Sequence, residues 1–219
     1  MSKKQTVGIL GSGAVGQTLA SAFLSEGHEV LLGSRTPTKE EVIKWKNNNP
    51  KGQTGTFEEA AKFGDLLVVC TLGEAAENAI QLGGIENFTG KILIDTTNPI
   101  AHEAPVDGVL KYFTNLDNSL LERLQALLPQ AHLVKAFSSV GNTLMYKPNL
   151  PGGTPSMFIC GNDEKAKQTV TNILTDFGWE TEDMGKAIAA RAIEPLCMLW
   201  CIPGFLKNQW SHAFKLLRS

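Results

Sequence analysis

The sequence has almost no excess of charge of either sign. Its 20 lysine and arginine residues face 22 aspartate and glutamate residues, which gives a formal net charge of -2 at pH 7. This balance gives the chain no general attraction to nucleic acid or to an anionic membrane surface. We therefore expect a small molecule as its partner, and neither nucleic acid nor a membrane.

Cysteine and histidine are both scarce, with 4 residues of each type. The cysteines form no Cys-x-x-Cys pair and have no histidine at metal-ligand spacing, which argues against a disulfide framework and against a zinc site. Cys197 and Cys201 would share one face of a helix, where we expect them to pack in the core. The first residues contain no apolar signal core, so the sequence predicts a cytoplasmic protein.

An uninterrupted membrane-spanning run is also lacking. The most apolar stretch, residues 187–206, contains Arg191, Glu194 and two prolines, and we interpret it as buried helices. A hydrophobic helix pair on a small domain is also typical of a subunit interface, so we expect a homodimer.

What is present instead is an alternation of short β-branched runs with amphipathic stretches. This alternation predicts an α/β fold: a Rossmann-type, doubly wound, mostly parallel sheet with a small C-terminal extension of α+β or helical structure. The predicted sheet has six strands, and five of them are assigned to residues 6–10, 29–32, 66–70, 91–95 and 132–137. Helices are predicted at 14–25, 39–46, 74–81 and 120–128. Thr56 and Glu59 form a capping box that predicts a further short helix before residue 66.

A glycine-rich turn joins the first predicted strand to the first predicted helix. The Gly-x-Gly-x-x-Gly fingerprint of dinucleotide-binding folds is matched there by Gly11, Ser12, Gly13, Ala14, Val15 and Gly16. Gly11 permits the tight turn, Gly13 lets the backbone approach a pyrophosphate, and Gly16 lets the helix and the strand pack closely. Free N–H groups of the turn then point at the anion.

The end of the second strand indicates which dinucleotide binds. An NAD site usually presents an acidic residue there, roughly 20 residues past the glycines. This chain has Gly33-Ser34-Arg35-Thr36 instead. The Arg35 guanidinium can form a forked contact with a 2′-phosphate, and the hydroxyls of Ser34 and Thr36 can donate to its oxygens. We therefore predict NADP(H) rather than NAD(H).

Three further loops follow strands at the same edge of the sheet, where the nicotinamide and the substrate are expected. Small residues dominate these loops and leave room for a flat ring, and Asn98 and Asn142 can hydrogen-bond the carboxamide. The cofactor contacts predicted in the loops are Thr71, Leu72, Gly73, Asn98, Pro99, Ala136, Ser138, Val140 and Asn142.

A run rich in proline and glycine at 149–155 marks a domain boundary. We predict an NADP-binding Rossmann domain over residues 1–148 and a small domain over 149–219 that contributes to the substrate pocket and to dimer contacts. The second domain would contain strands at 156–160 and 179–181, a helix at 164–177, and helical structure from residue 186 that Pro195 and Pro203 interrupt.

The sequence offers no evident proton donor for catalysis. It contains no Tyr-x-x-x-Lys pair and no His-Asp pair at an obvious site, so we assign no catalytic residue. An acceptor that takes a hydride directly into a conjugated ring needs positioning more than acid–base help, which suits a flavin-like partner. Two alternatives stay open: an imine or carbonyl reductase of a small substrate, and a non-catalytic module that senses NADP(H).

Six segments spread over nearly the whole chain resemble one family. They resemble the coenzyme F420-dependent NADP reductase family at residues 11–16, 33–36, 94–99, 134–137, 157–163 and 190–200. The nucleotide-binding domain is also similar to that of membrane ferric reductases, which pass the hydride to a flavin.

The resemblance implies hydride transfer between NADP(H) and a deazaflavin (coenzyme F420) or a flavin. It implies that residues 11–16 bind the pyrophosphate, that residues 34–36 bind the 2′-phosphate, and that the loop 138–142 lies beside the nicotinamide. The chain departs from the archaeal reductases at Ser138, where they carry a histidine.

Overall fold

One eight-stranded sheet forms the centre of the molecule. The computed structural model describes residues 4–218, and within them the strands are β1 (Thr6–Leu10), β2 (Glu29–Gly33), β3 (Gln53–Gly55), β4 (Leu66–Val69), β5 (Ile92–Asp95), β6 (His132–Lys135), β7 (Ser156–Gly161) and β8 (Glu180–Asp183). Their order is β3-β2-β1-β4-β5-β6-β7-β8, and every neighbouring pair is parallel except β6 with β7. The order of the first six is that of a dinucleotide-binding fold, which confirms the predicted doubly wound sheet.

Helices cover both faces of this sheet. In the described part of the chain they are α1 (Ala14–Ser25), α2 (Glu40–Asn48), α3 (Phe57–Phe63), α4 (Gly73–Gly83), α5 (Leu120–Leu127), α6 (Glu164–Asp176) and α7 (Ala190–Lys207). The buried faces of α1 and α6 form one apolar layer, and those of α3, α4 and α5 form the other. Because β4 lies between the two layers, all four of its side chains are buried, as its wholly apolar sequence predicts.

Strands β3 and β6 differ from the sequence expectation, and β8 covers residues 180–183 where a strand at 179–181 is predicted. The pattern gives no signal for β3, because its three residues are polar or glycine and it lies at the edge of the sheet beside β2. β6 ends at Lys135 rather than at 137, because Phe137 adopts a left-handed backbone conformation with a φ of 60°. The predicted capping box is confirmed, since Thr56 and Glu59 each accept the other's backbone N–H.

The helix α7 is continuous through Pro195 and Pro203, so the predicted interruption at these prolines is wrong. Each proline removes one backbone hydrogen bond from the helix. The helix nevertheless buries Ile193 and Trp200 against the rest of the fold. Tertiary packing of this face outweighs the local preference of proline to end a helix.

The segment 187–207 is long and apolar enough to cross a membrane, by length and composition alone. One of its faces is turned into the fold: Cys197 and Cys201 are buried there in a cluster with Trp200, as their helical spacing predicts. Two of its three charged residues, Arg191 and Glu194, contact the start of α5. These contacts pack one face of the helix against the fold, and 39% of its most apolar window is buried.

Residues after 149 extend the same sheet. β7 pairs with β6 on one side and with β8 on the other, and Met157 and Ile159 belong to the same core cluster as Val7 and Ile9 of β1. Residues 208–218 then run back to β7, where the Ser156 N–H donates to the carbonyl of Phe214 at 2.9 Å. The division at 148/149 stays a prediction, and the sheet and its core run across it.

Candidate functional site

The three glycines of the β1–α1 turn have three different surroundings. Gly11 has a φ of +135°, and a Cβ added there would lie 2.6 Å from the carbonyl oxygen of Cys70. A Cβ on Gly16 would lie 1.8 Å from the carbonyl oxygen of Gly11. A Cβ on Gly13 would meet no described heavy atom within 4 Å. Gly11 and Gly16 are therefore required by the fold, whereas Gly13 leaves open space in which a ligand can approach the backbone.

The first turn of α1 is free to bind an anion. Gly13 caps the helix without any side-chain hydrogen bond, and the first turn, which contains Ala14 and Val15, has no acidic residue. The first N–H groups of a helix lack intrahelical partners, and the helix dipole favours negative charge there. This geometry fits the pyrophosphate of a dinucleotide.

The end of β2 lies against this turn. The buried Ser12 hydroxyl donates to Ser34 Oγ at 3.0 Å, and Ser34 Oγ also accepts the backbone N–H of Thr36 at 3.2 Å. Arg35 and Thr36 are exposed, and within residues 4–218 the Arg35 side chain makes neither a hydrogen bond nor an ion pair. An unpaired guanidinium next to the anion site fits the 2′-phosphate of NADP(H).

A cavity of about 490 Å³ opens between the ends of β4 and β5. Its walls include Val15, Thr71–Gly73, Thr96–Asn98 and residues 100–104. Leu72 at its edge is 80% exposed, which leaves a large apolar side chain available to a bound ring. All of these residues precede 149, so a contribution of residues 149–219 to the substrate pocket stays a prediction.

The threonine hydroxyls around the cavity already donate hydrogen bonds. Thr96 Oγ1 donates to the carbonyl of Val69 at 3.1 Å, and Thr97 Oγ1 donates to Asp95 Oδ1 at 2.7 Å. The hydroxyl of Thr71 donates to the carbonyl of Leu72 at 3.1 Å. These three side chains shape the cavity and do not offer a free proton donor.

Asn98, which lines the cavity, and Ser138, to which it is hydrogen-bonded, each have an unpartnered polar atom. Asn98 Nδ2 donates to the backbone carbonyl of Ser138 at 2.7 Å. In the described residues, Asn98 Oδ1 and Ser138 Oγ are buried without a hydrogen-bond partner. A buried acceptor left unpaired is costly. Asn98 Oδ1 lacks a donor, and the amide N–H of a nicotinamide carboxamide is a donor of the required kind, so the chemistry of the residues present suits this cofactor.

Other predicted contacts lie elsewhere or in the core. Ala136 is fully buried and its N–H donates to the carbonyl of Asp95, and Val140 and Pro99 are buried as well. The Asn142 side chain donates to Thr18 Oγ1 at 3.3 Å in a groove beside α1. The structure therefore brings Asn98, but not Asn142, to the cavity that Val15 and Leu72 line.

A buried ionic cluster behind the cavity escapes sequence reasoning. Lys135 Nζ lies 2.6 Å from Asp95 Oδ2 and 2.9 Å from Glu194 Oε1, and all three side chains are buried. Burial alone would lower the pKa of Lys135, but the two carboxylates outweigh it and raise the pKa above its usual value. The only signal for this cluster is one lysine and one glutamate within otherwise apolar segments.

A second, more exposed ion pair joins α5 to α7. Arg191 contacts Glu122 in a two-pronged arrangement, with Nε to Oε2 at 2.9 Å and Nη2 to Oε1 at 2.8 Å. The guanidinium, together with the hydrogen bonds from Ser119, lowers the pKa of Glu122 to about 2. Glu122 also closes the capping box with Ser119 at the start of α5.

Few titratable groups reach the cavity. Burial raises the pKa of the Cys70 thiol, so this cysteine is not a thiolate near neutral pH. His102 lies exposed at the mouth, and Glu103 beside it pairs with Lys111 at 2.7 Å. Among residues 4–218 no three histidine, cysteine or acidic side chains form a group that could hold a metal ion.

Comparisons with known proteins agree with this geometry. Residues 6–99 match the model of a family described as NADP oxidoreductase, coenzyme F420-dependent. A crystal structure from Arthrobacter sp. FB24, provisionally named an F420-dependent NADP-reductase, is 31% identical with a TM-score of 0.91, covering 98% of this chain and 100% of that one. A reductive aminase from Aspergillus terreus in complex with NADPH is 18% identical with a TM-score of 0.67, covering 94% and 64%, and shows the fold alone.

A curated relative is much longer than this chain. The rat metalloreductase STEAP3 is 32% identical over 206 residues, which are 91% of this chain and 38% of the relative. The chain thus spans well under half the length of that protein. The structure from Arthrobacter matches this chain from end to end and, together with the family model, shows which family the chain is part of. The chain belongs to the family of coenzyme F420-dependent NADP oxidoreductases.

Proposed function

We propose that the protein is an NADPH-dependent reductase that passes a hydride to a deazaflavin or flavin ring. One observation carries the proposal. The unpaired Arg35, the open turn at Gly13 and the unpartnered oxygen of Asn98 follow one another along the carboxyl edge of the sheet, from β2 through β1 to β5. This is the order of the 2′-phosphate, the pyrophosphate and the nicotinamide in NADPH.

The side chains around the cavity support a role in positioning. NADPH, when bound, supplies the hydride, and solvent supplies any proton that the reduced acceptor ring needs. Asn98 would orient the carboxamide, and the apolar side chains of Val15, Leu72 and Ile100 would border a second flat ring. Hydride transfer between two stacked rings depends on their distance and orientation more than on an acid or a base.

The proposal is tested by following the absorbance of NADPH with the purified protein. Coenzyme F420, FMN and FAD are offered separately, and NADH is the control donor. We expect rapid oxidation of NADPH with one of the three ring acceptors and slow oxidation of NADH. Failure to bind NADPH would refute the cofactor assignment, and tight binding with no oxidation would favour a module that senses NADP(H).

A second candidate rests on Ser138. Its hydroxyl is buried beside Asn98 without a partner in the described residues, so it is free to donate to a carbonyl or imine. A reductase of a small imine or ketone needs such a donor. This candidate predicts NADPH oxidation with small cyclic imines or ketones that Ser138→Ala abolishes. Oxidation with ring acceptors that survives Ser138→Ala would favour the leading proposal.

We further propose a homodimer that forms through the outer face of α7. Leu199, Phe205 and Leu206 on this helix are 54%, 45% and 57% exposed. Clustered exposed apolar side chains of this kind favour a protein interface. Solution scattering should give twice the chain mass of 23.7 kDa, and a monomeric mass would refute the dimer.

A further inference from the structure

The buried cluster of Lys135, Asp95 and Glu194 holds its opposite charges in short ion-pair contacts. Lys135 Nζ lies 2.6 Å from Asp95 Oδ2 and 2.9 Å from Glu194 Oε1, and it donates a hydrogen bond to the carbonyl oxygen of Thr97 at 2.8 Å. The Glu194 carboxylate also accepts the backbone N–H groups of Leu120 and Leu121 at 2.9 and 3.0 Å. The surplus negative charge is therefore offset by the N-terminus of α5.

This cluster holds the residue that precedes Asn98 from two sides. Asp95 Oδ1 accepts the Thr97 N–H at 2.8 Å, and Lys135 donates to the Thr97 carbonyl. The next residue, Asn98, carries the unpartnered amide oxygen, and its Nδ2 reaches the carbonyl of Ser138 in the loop that follows Lys135. The cluster thus fixes the ends of β5 and β6 relative to each other at the nicotinamide end of the cavity.

Glu194 belongs to α7, which does not line the cavity in the described residues. The same helix supports the neighbouring loop, since a Cβ on Gly141 would lie 2.8 Å from the Trp200 ring. Tyr112 holds Glu194 in place by donating to its backbone carbonyl at 2.8 Å. The helix α7 therefore contacts residues that flank the cavity without lining it.

We infer that Glu194 is a positioning residue for hydride transfer, which through Lys135 fixes Thr97 and so sets the Asn98 amide where the nicotinamide carboxamide binds. The inference rests on the proposed function, because it assumes that the cavity receives the nicotinamide. It concerns the nicotinamide half of the cofactor only. Within residues 4–218 the glycine turn and Arg35 make no hydrogen bond or ion pair with the cluster, so we expect binding of the adenosine half to be independent of Glu194.

Glu194→Gln is the informative variant. It keeps the size of the side chain but leaves Lys135 with one carboxylate in place of two, and it replaces one acceptor by an NH₂ group. Removing one partner of a buried ion pair also destabilises the fold. Loss of stability must therefore be separated from loss of positioning.

Glu122→Gln is the matched control. Glu122 is also a carboxylate that links α5 to α7, through the capping box with Ser119 and the ion pair with Arg191. It makes no described contact with Lys135 or Thr97. Both variants weaken the packing of α5 against α7, but only Glu194→Gln removes a contact of Lys135 and is expected to change the position of Asn98 in the cavity.

Three quantities are measured for the wild type and both variants below their unfolding temperatures. They are the dissociation constant of 2′,5′-ADP, which carries only the adenosine half, the fluorescence of bound NADPH, which reports on the nicotinamide, and the single-turnover rate of hydride transfer. For Glu194→Gln we expect unchanged 2′,5′-ADP binding within about twofold, altered NADPH fluorescence, and a rate lower by roughly tenfold or more. Glu122→Gln should match the wild type in all three.

Glu194→Asp provides a second variant if Glu194→Gln does not fold, because it keeps the charge and shortens the reach. Equal behaviour of the Glu194 and Glu122 variants, or wild-type fluorescence and rate in a folded Glu194 variant, would overturn the inference. If neither Glu194 variant folds, Glu194 is a requirement of the fold and the inference is overturned as well. A wild-type protein that does not bind NADPH would instead refute the proposed function.

Discussion

At Gly13 and Gly16 the same substitution by alanine has opposite expected consequences. Gly16→Ala places a methyl group 1.8 Å from the carbonyl oxygen of Gly11 and should lower the free energy of unfolding by about 2 kcal/mol or more. Gly13→Ala meets open space at an ordinary φ of -74°, so its free energy of unfolding should change by less than about 1 kcal/mol. Its methyl group would nevertheless occupy the space offered to the pyrophosphate.

Measurements of NADPH binding test the second consequence, the loss of space for the pyrophosphate in Gly13→Ala. We expect Gly13→Ala to raise the dissociation constant of NADPH by roughly tenfold or more, which is about 1.4 kcal/mol. Urea unfolding and NADPH titration of both variants check the two halves of the prediction. Normal NADPH binding by Gly13→Ala would contradict the assignment of this turn.

Arg35→Ala should weaken the binding of NADPH without weakening the binding of NADH. A hydrogen bond to a charged group contributes about 1.5–3 kcal/mol, so we expect NADPH binding to weaken by roughly 10-fold to 100-fold and NADH binding to change little. The matched control is Arg123→Ala, because Arg123 lies over the ring of Phe113, away from the site. Equal weakening of NADPH and NADH in a competition titration would refute the contact with the 2′-phosphate.

Residues of local motifs are predictable from sequence, and residues of long-range clusters are not. Residues 11–16 and 33–36 are recognised because each group is contiguous and its chemistry depends on spacing along the chain. Asp95, Lys135 and Glu194 come from two strands and a helix that only the folded sheet brings together. Asn142 fails to reach the cavity because the loop after β6 turns its side chain towards α1, which no local pattern indicates.

The ion pair between α5 and α7 should make the free energy of unfolding depend on pH in the acid range. Glu122 has a pKa of about 2 in the folded protein against an ordinary value of 4.5. Because the folded pKa is the lower one, its ion pair with Arg191 contributes its full stability above pH 4.5 and loses it as the pH falls towards 2. Urea unfolding of Glu122→Gln should therefore show a deficit relative to the wild type at pH 6 that shrinks steadily below pH 4.5.

A double-variant cycle controls this prediction. Since Glu122 and Arg191 act as one pair, Glu122→Gln combined with Arg191→Gln should cost little more than either change alone. Additive costs, or a deficit for Glu122→Gln that does not vary with pH, would show that the carboxylate acts through other contacts.

Whole elements differ in how well the sequence predicts them. Helices and strands with strong apolar periodicity, such as α1 and β4, lie within one residue of their expected limits. β3 has no such periodicity because it is a three-residue edge strand, and its existence depends on pairing with β2. α7 continues through two prolines because its buried face is packed, and local propensity alone predicts the opposite.

At the scale of the molecule, the continuous sheet predicts that the chain folds as one unit. A fragment ending at residue 148 would expose the edge of β6 and leave Lys135 without Glu194. We expect it to show no cooperative unfolding by circular dichroism, whereas a chain ending at residue 207 keeps every strand and should unfold cooperatively. A fragment 1–148 that unfolds cooperatively and binds 2′,5′-ADP would contradict this expectation.

The two edges of the sheet also limit how the protein can aggregate. β3 presents only three residues for pairing, and β8 presents the acidic run Glu180–Asp183, with Lys215 and Arg218 of the tail paired to Glu180 and Glu182. A short edge and a charged edge both disfavour the addition of a strand from another copy. Neither edge of the sheet therefore favours pairing with a strand of another copy. Copies that meet at high concentration should associate through their helical surfaces and should not form fibrils.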